Sequence, residues 1–310
     1  DPLAGLFFCG GLQPVVRAIE EEVPTLALNA WYLDDGHQVG TREELRRVVD
    51  IILREGMPRG LILSTAATVS LPSLPKTTVW SPGAGLDETE QDPLQRGVPK
   101  VDSGAGITVL GAPVGSEQYI REVMKSRIQK IREITGLLPK VEDPHCEFVL
   151  LRSCLALPKV MFLLRALDTA PHEDLLEEFD EITRDALSNI LGPPVTDLQW
   201  EQSKLPVPMG GAGLRAALDH APVAYASSYL ASQTLVRNLL GRGEEEAPAA
   251  LPQHLLDCIT VRQGEEATTE SLEGVPQKLS SRAIDLNNQL MLINHYKAAG
   301  CKREIARMAS

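Results

Sequence analysis

Residues 25–40, TLALNAWYLDDGHQVG, limit the possible folds of this chain more than any other stretch. Apolar and aromatic residues precede Asp34-Asp35-Gly36, and an alternating pattern, the two-residue period of a β-strand, resumes after it. An Asp-Gly pair between two such runs is a strong signal for a tight turn. The sequence therefore predicts a β-hairpin whose turn is centred on Asp34-Asp35-Gly36.

The two adjacent carboxylates in this turn have two interpretations. They belong to a solvated acidic loop, or they hold a cation, since both side chains can converge on one ion at a turn. Hard divalent cations such as Mg²⁺ prefer carboxylate oxygens, and substrate phosphates often complete their shell. Two such ions about 3.5–4 Å apart activate an attacking hydroxyl and stabilise the leaving oxygen. Asp34 and Asp35 are therefore candidate metal ligands.

Helical patterns lie on both sides of this hairpin. Residues 6–22 carry apolar side chains at helical spacing. Thr41 with Glu44 three residues later is the signature of a capping box at the start of a second helix. The segment GLILS at 60–64 predicts a short strand, and the proline-rich residues 70–104 predict an irregular insertion.

The pattern changes again from residue 105. GITVLGAPVG at 106–115 predicts a strand with a turn, and residues 118–136 place apolar side chains on one face of a helix. The same periodicity predicts further helices at about 143–168, 172–191 and 215–240, and a weakly amphipathic region at about 275–310. The predicted fold class is therefore α+β, with a mixed region followed by an all-helical one.

Composition narrows the classes of function. Hydrophobic residues make up 43% of the 310-residue chain, within the range of ordinary globular domains. The formal net charge of −12 argues against attraction to nucleic acid over the whole surface, but it allows a local basic groove. Five cysteines without a CxxC pair predict a reduced intracellular protein with buried thiols. No apolar run is long enough to span a membrane.

The helix predicted from residue 118 is the best candidate for contacting nucleic acid. Arg121, Lys125 and Arg132 lie opposite its apolar stripe. There they can follow phosphates along a duplex without reading its sequence. The alternative is an ordinary solvated face on which Glu122 and Glu133 are the partners of the basic residues. Both interpretations stay open at this point.

Other motifs favour structure over chemistry. MGGAG at 209–213 lacks the GK[ST] ending of a phosphate-binding loop and predicts a tight turn before a helix. His145, Cys146 and Cys154 have no second ligand pair for zinc and predict a buried thiol on a helix. The chain contains no GxSxG elbow of a serine hydrolase.

Several stretches, in order along the chain, resemble non-LTR-type reverse transcriptases. YLDDG at 32–36 is similar to the signature hairpin of that family's palm, and DPLAGLFF at 1–8 resembles the end of the stretch that precedes it. GLILS at 60–64 and VLGAPVGS at 109–116 are similar to the family's next strand and to its primer-gripping turn. Two later segments, at 150–167 and 205–232, resemble regions downstream of this domain in retroelement-derived proteins.

The resemblance implies an RNA-directed DNA polymerase that transfers nucleotides with two Mg²⁺ (or Mn²⁺) ions. It assigns the metal to Asp34 and Asp35, with Tyr32 shaping the hairpin near the incoming deoxynucleotide. The implied macromolecular partners are an RNA template and a DNA primer, whose backbone Arg121, Lys125 and Arg132 would contact. The implied support for the primer end consists of Leu110, Gly111, Pro113 and Gly115.

The implied organisation is a partial palm followed by an all-helical thumb. Its five segments are a partial palm with the YLDD hairpin at 1–69, an irregular insertion at 70–104, a primer-grip-like strand and turn at 105–117, a helical thumb or connection region at 118–240, and a linker with a C-terminal helical tail at 241–310.

The chain also departs from the family's pattern. A palm needs a third carboxylate on an earlier strand, and both that strand and the fingers would precede Asp1. We therefore expect an N-terminally truncated fragment that has no polymerase activity by itself. In addition, Ala67 stands where the family has a lysine, and Gly5 stands where it commonly has a proline.

Two rival interpretations remain open. In the first, the chain is a degenerate retroelement remnant that acts as a non-catalytic nucleic-acid-binding or protein-interaction module; the missing lysine and the net acidity favour it. In the second, the chain is a helical scaffold unrelated to polymerases. That second rival predicts no hairpin at residues 28–40.

Overall fold

The computed structural model describes residues 3–64, 76–82, 100–101, 105–241, 250–300 and 308. Helices dominate these residues, and their strands pair into three two-stranded sheets. The fold class is therefore α+β, as the sequence predicts. The chain separates into two compact units, one of residues 1–120 with 235–246 and one of residues 121–234 with 247–310.

Helices and short strands follow one another along the chain. The α-helices are α1 (Ala4–Glu22), α2 (Arg42–Ile51), α3 (Glu117–Thr135), α4 (Pro144–Leu150), α5 (Leu157–Ala166), α6 (Glu173–Leu191), α7 (Asp197–Lys204), α8 (Ala217–Leu239), α9 (Gln253–Gln263), α10 (Thr269–Leu272) and α11 (Gln277–Ala298). The strands are β1 (Leu28–Tyr32), β2 (Asp35–Val39), β3 (Val79–Trp80), β4 (Lys100–Val101), β5 (Gly106–Val109) and β6 (Ala112–Gly115). None of the described helices is both long enough and apolar enough to cross a membrane.

The core of the first unit lies between α1 and α2. Leu12, Val15 and Ile19 of α1 are buried together with Val48 and Ile51 of α2. Their spacing of three and four residues places each set on one face of its helix. The helix predicted at 6–22 is thereby confirmed.

A capping box begins α2, as the sequence predicts. The Thr41 hydroxyl accepts a hydrogen bond from the Glu44 backbone N–H over 3.4 Å, and the Glu44 carboxylate accepts one from the Thr41 backbone N–H over 2.7 Å. Both bonds satisfy N–H groups that the first turn of a helix leaves without intrahelical partners. The box fixes the point at which the chain leaves β2 and becomes helical.

The strand predicted at 60–64 does not form, so that prediction was wrong. Gly60 adopts a left-handed φ of 76°, and Leu61 donates its backbone N–H to the Gly56 carbonyl over 3.0 Å. Residues 61–64 have no regular structure. A strand needs a ladder of backbone bonds to a neighbour, and here the first of these backbone groups closes a helix end instead.

Part of the insertion predicted at 70–104 lies within the described residues. There β3 and β4 pair in parallel over two residues each. Residues 65–75, 83–99 and 102–104 lie outside the described residues, and so does the linker stretch 242–249.

The helix predicted at about 143–168 is continuous only in part. It is interrupted at Ala156, whose ψ of −146° is not helical, and α5 begins immediately afterwards. Pro158 occupies the first turn of α5. Proline suits a helix start because it has no N–H to donate, and for the same reason it cannot continue the preceding helix.

Several hydrophobic clusters contribute to the core of the second unit, and two of them join its main helices. The first joins the end of α6 to α7 and includes Leu187, Trp200 and Leu214. The second joins α8, α9 and α11, and Ile259 and Ile284 are among its fully buried members. The helices of this unit are therefore held mainly by aliphatic side chains.

The expectation of buried thiols was wrong. Cys9, Cys146 and Cys154 are exposed, and Cys258 is partly buried. Neighbouring leucines and valines occupy the inward positions of these helices, so the cysteines fall on outward ones. Cys301 lies outside the described residues.

The carboxylate of Asp180 in α6 caps the first backbone N–H groups of α8. Its carboxylate accepts hydrogen bonds from the backbone N–H groups of Ala217 and Leu218, over 2.7 and 3.1 Å. Burial raises the pKa of Asp180 to about 7, although both N–H groups act to lower it. The charge of a buried group that joins two helices therefore changes near neutral pH.

We expect Asp180→Asn to flatten the dependence of stability on pH. Because the folded pKa lies above the unfolded value of 3.8, the protonated Asp180 carboxyl contributes stability at acidic pH, and roughly 3 kcal/mol of this contribution is lost between about pH 4.5 and 7.5. Asparagine does not titrate, so the variant loses this slope. Urea unfolding at about pH 4.5 and 7.5 measures this change in the free energy of unfolding.

Asp185→Asn is the matched control, since Asp185 is exposed on the same helix. It should keep the wild-type slope. An unchanged slope in Asp180→Asn would contradict the buried titration.

Candidate active site

The predicted hairpin is present in the first unit, where β1 pairs with β2. Tyr32 pairs with Asp35, so the tight turn consists of Leu33 and Asp34 alone. The sequence placed the turn at Asp34-Asp35-Gly36, and that placement was wrong, because Asp35 and Gly36 belong to β2. The presence of a hairpin excludes the helical scaffold that predicted none.

Gly36 serves close packing rather than the turn. It lies opposite Trp31, and a Cβ on Gly36 would come within 2.6 Å of the Trp31 ring. The Trp31 indole N–H donates to the Asn29 side chain over 2.9 Å, which fixes the ring. The glycine of the YLDDG motif is therefore needed because a tryptophan covers it.

Alternation along the strands gives the hairpin two different faces. Trp31 and Gly36 share one face, and Trp31 packs against the core of α1 and α2. Tyr32 and Asp35 are cross-strand neighbours on the other face, where the Tyr32 side chain is 65% exposed. The packing of Trp31 therefore directs Tyr32 and Asp35 outward.

His37 lies on the same face as Asp35, two residues further along β2. Its Nε2 atom is buried and has no hydrogen-bond partner among the described residues. Buried polar atoms are nearly always paired. The spacing of the histidines along the sequence assigns no role to His37, and only its period-two alternation with Asp35 indicates that it shares a face with the candidate ligand.

Leu33 holds an uncommon backbone conformation at the tip of the hairpin. Its φ is 55°, a left-handed value that costs a residue with a Cβ about 1–2 kcal/mol. A Cβ added to Gly5 of α1 would lie 3.9 Å from Leu33 Cδ2. The tip therefore lies beside the first turn of α1, and it is strained next to the two aspartates.

The two carboxylates are adjacent and open to solvent. Asp34 lies in the turn and Asp35 begins β2, and both side chains are exposed. In the part of the chain that the structure describes, neither carboxylate forms an ion pair, and no group of three His, Cys, Asp or Glu side chains is placed to hold a metal. The oxygen donors at this tip are of the type that Mg²⁺ prefers.

A second hairpin in the first unit contains the four residues of the implied primer grip. Val109 pairs with Ala112, so Leu110 and Gly111 form a two-residue turn, with φ of 48° and 86°. Positive φ at both positions is the geometry that matches the twist of an antiparallel pair. The predicted strand and turn are present, followed by a second strand.

Glycine and proline have defined roles in this second hairpin. Pro113 opposes Thr108 at a pair that exchanges no backbone bonds, so its missing N–H costs nothing there. Gly115 opposes Gly106, and a Cβ on Gly115 would come within 2.4 Å of the Gly106 Cα. The ring of Tyr119 covers Gly106, which ties this hairpin to the first turn of α3.

The basic residues of α3 contact α6 within the second unit. Arg121 binds both carboxylate oxygens of Asp174, one of them over 2.9 Å, and it lowers the pKa of that carboxyl. Arg132 forms an ion pair with Glu178 over 2.5 Å. Lys125 is exposed on the helix between them.

These partners differ from the glutamates that the alternative interpretation named. Glu122 and Glu133 lie on α3 itself, whereas the acidic residues that pair with the arginines come from α6. Sequence spacing along one helix cannot reveal a partner on another helix. Ion pairs between exposed side chains, such as Arg132 with Glu178, contribute only about 0–1 kcal/mol.

We expect Gly36→Ala to destabilise the first unit by roughly 1–3 kcal/mol, because the new methyl group overlaps the Trp31 ring. Urea unfolding followed by tryptophan fluorescence measures the loss. Gly10→Ala is the matched control, since a Cβ there meets no atom within 4 Å in α1. It should stabilise by about 0.5–1 kcal/mol. Equal stability of Gly36→Ala and the wild type would refute the packing role of Gly36.

The chain is similar to a protein of a mobile genetic element. It is 27% identical over 293 residues to the Retrotransposable element SLACS 132 kDa protein of Trypanosoma brucei gambiense. The alignment covers 92% of this chain and 22% of that protein, so the chain spans about a fifth of its relative's length. No protein-family model and no solved structure matches the chain. The chain is thus related to a retrotransposable-element protein.

Proposed function

We propose that this chain supplies the palm hairpin and the thumb of a retroelement reverse transcriptase. One observation carries the proposal: the YLDD residues occupy the tip of a hairpin whose other face is anchored in a helical core. The similarity to a retrotransposable-element protein supports the same class of function. The substrates would be deoxynucleotides, an RNA template and a DNA primer.

Asp34 and Asp35 are the proposed metal ligands. Their exposed oxygens fit Mg²⁺ or Mn²⁺, with the phosphates of the nucleotide completing the shell. Such an ion favours deprotonation of the attacking hydroxyl and stabilises the leaving oxygen. The chain's own task is to hold both carboxylates at one point, and the Trp31 contact serves that task.

Tyr32 is proposed to position the incoming nucleotide. Its ring is exposed on the same face as Asp35, directly across the hairpin. A nucleotide whose phosphates reach the carboxylates would bring its sugar or base over this ring. Tyr32 then limits how that sugar or base can lie, which is positioning rather than chemistry.

The second hairpin and α3 are proposed to hold the primer and template. Leu110 is 46% exposed at the hairpin tip, where an apolar side chain can support the primer end. Arg121, Lys125 and Arg132 would contact backbone phosphates, a contact that does not depend on base sequence. The two arginines would exchange their α6 carboxylates for phosphates.

A second candidate function is a non-catalytic retroelement remnant that binds other macromolecules. The ion pairs of Arg121 with Asp174 and of Arg132 with Glu178 favour it, because they already neutralise two of the three basic side chains. In this case the hairpin is an inherited feature without a metal.

We expect Asp34→Asn and Asp35→Asn each to abolish Mg²⁺-dependent primer extension by the native polypeptide that contains these residues. Removing a metal ligand raises the barrier to nucleotidyl transfer, and a loss of at least about 100-fold is expected. Extension of a DNA primer on an RNA template measures this.

Asp50→Asn is the control, since Asp50 is exposed on α2. It should extend the primer at the wild-type rate. Wild-type extension by Asp34→Asn would contradict the metal assignment, whereas no extension by the wild type would favour the remnant.

We expect Lys125→Gln to lower the salt dependence of binding to an RNA–DNA duplex. Each phosphate contact contributes about 0.9 to the slope of log affinity against log salt, and the variant should lose about that much. Fluorescence anisotropy at several salt concentrations measures the slope. Lys159→Gln, on the exposed side of α5, is the matched control and should keep the slope. An unchanged slope in Lys125→Gln would remove α3 from the duplex interface.

A further inference from the structure

Helix α11 exposes a row of apolar side chains on the side that faces away from the core of the second unit. Leu279, Leu286 and Leu290 are 55%, 43% and 58% exposed. Together with Ala283 they recur at intervals of four, three and four residues, which is heptad spacing. These four residues are called the α11 seam.

The inward face of α11 is more polar than the seam. Ser280, Ser281 and Asp285 are buried there, next to Ile284 and Leu292. Burial of apolar area normally places leucines inside and serines outside. An exposed row of leucines on a helix that buries two serines is an apolar surface of the kind found at interaction sites.

Contacts on the inward face of α11 nevertheless fix the rotation of this helix about its own axis. Arg215 pairs with the buried Asp285 carboxylate through two contacts, of 3.3 and 2.5 Å. Ile284 is fully buried in the cluster of α8, α9 and α11. Rotation of α11 to bury its leucines would break this ion pair and leave a charge unpaired in the core.

The exposed Lys and Arg side chains of α11 give the seam a basic flank. Lys278 and Arg282 lie one turn apart along one side of the seam, and Lys297 extends beyond its C-terminal end. Within α11, which is described throughout, the acidic residue is Asp285, and it is buried and paired. A chain of net charge −12 thus presents an apolar row bordered by positive charge.

We propose that the α11 seam docks an amphipathic α-helix of a partner protein, with leucines at heptad spacing and Asp or Glu along the edge that faces Lys278 and Arg282. The seam runs for about three helical turns, or roughly 17 Å, which suits one short helix. The leucines supply most of the affinity, and the charges select the partner and its orientation. This proposal stands apart from the polymerase assignment, since neither hairpin takes part in it.

Charge and composition favour this occupant over two others. A second copy of α11 offers no acidic partner to Lys278 and Arg282, because the acidic residue of this helix, which is described throughout, is Asp285, and it is buried and paired. A membrane surface attracts basic helices, but these usually carry Trp or Phe as anchors. The seam consists of leucines and an alanine.

Two synthetic peptides test the proposal on the full 310-residue chain. Both carry leucines at heptad positions; one has Glu along the facing edge, and the other has Lys there. Fluorescence anisotropy should show the Glu peptide binding at least about 10-fold more tightly than the Lys peptide. The double variant Leu286→Ser/Leu290→Ser should lose at least about 10-fold in affinity for the Glu peptide.

The charge-reversal variant Lys278→Glu/Arg282→Glu keeps the proposal testable without removing apolar area. It should prefer the Lys peptide, a reversal that unfolding cannot produce. Val261→Ser is the matched control, since Val261 is 73% exposed on α9, and it should bind like the wild type.

Four outcomes would overturn the proposal. These are no binding of the Glu peptide, equal affinity for both peptides, dimerisation in sedimentation that Leu286→Ser/Leu290→Ser abolishes, and binding to anionic phosphatidylglycerol vesicles in preference to the Glu peptide. The third would assign the seam to a second copy, and the fourth would assign it to a membrane.

Discussion

The packing of Trp31 across Gly36 determines where the two aspartates lie. One face of the hairpin is buried by this contact against α1 and α2, so period-two alternation forces Tyr32 and Asp35 to the other face. A shift of one residue in the pairing would exchange the two faces. The candidate chemistry at the tip therefore depends on a glycine and a tryptophan that take no part in it.

Several arginines of the second unit pair with carboxylates of the same unit. Arg121 and Arg132 pair with carboxylates of α6, and Arg215 pairs with the buried Asp285. The pair of Arg132 with Glu178 is exposed and therefore contributes little to stability. The pair at Asp285 is buried and fixes the rotation of α11, which leaves its leucines outside. The same kind of interaction thus contributes little on α3 and fixes the orientation of α11.

Local signals in the sequence predicted elements well and partners poorly. The capping box at Thr41, the stripe of α1, the first hairpin and the strand with a turn at 106–115 depend on neighbouring residues, so the sequence was sufficient to predict their presence. Hydrophobic periodicity predicted neither the break at Ala156 nor the helix α7. The break depends on the proline that begins α5, and α7 begins at a capping box, so neither feature is visible as a repeat of apolar residues. The α6 partners of the arginines and the role of Gly36 required tertiary contacts. The strand predicted at 60–64 was based on an apolar run, but such a run does not show whether a partner strand lies beside it.

The central claim is that Asp34 and Asp35 hold a divalent cation at the tip of the first hairpin. Paramagnetic broadening of backbone amide signals by Mn²⁺, with deoxynucleotide and an RNA–DNA primer–template present, tests it most directly. The account predicts that the broadening centres on Leu33–Gly36, is reversed by excess Mg²⁺ and disappears in Asp34→Asn. Broadening centred on another part of the chain, or none at all, would contradict it.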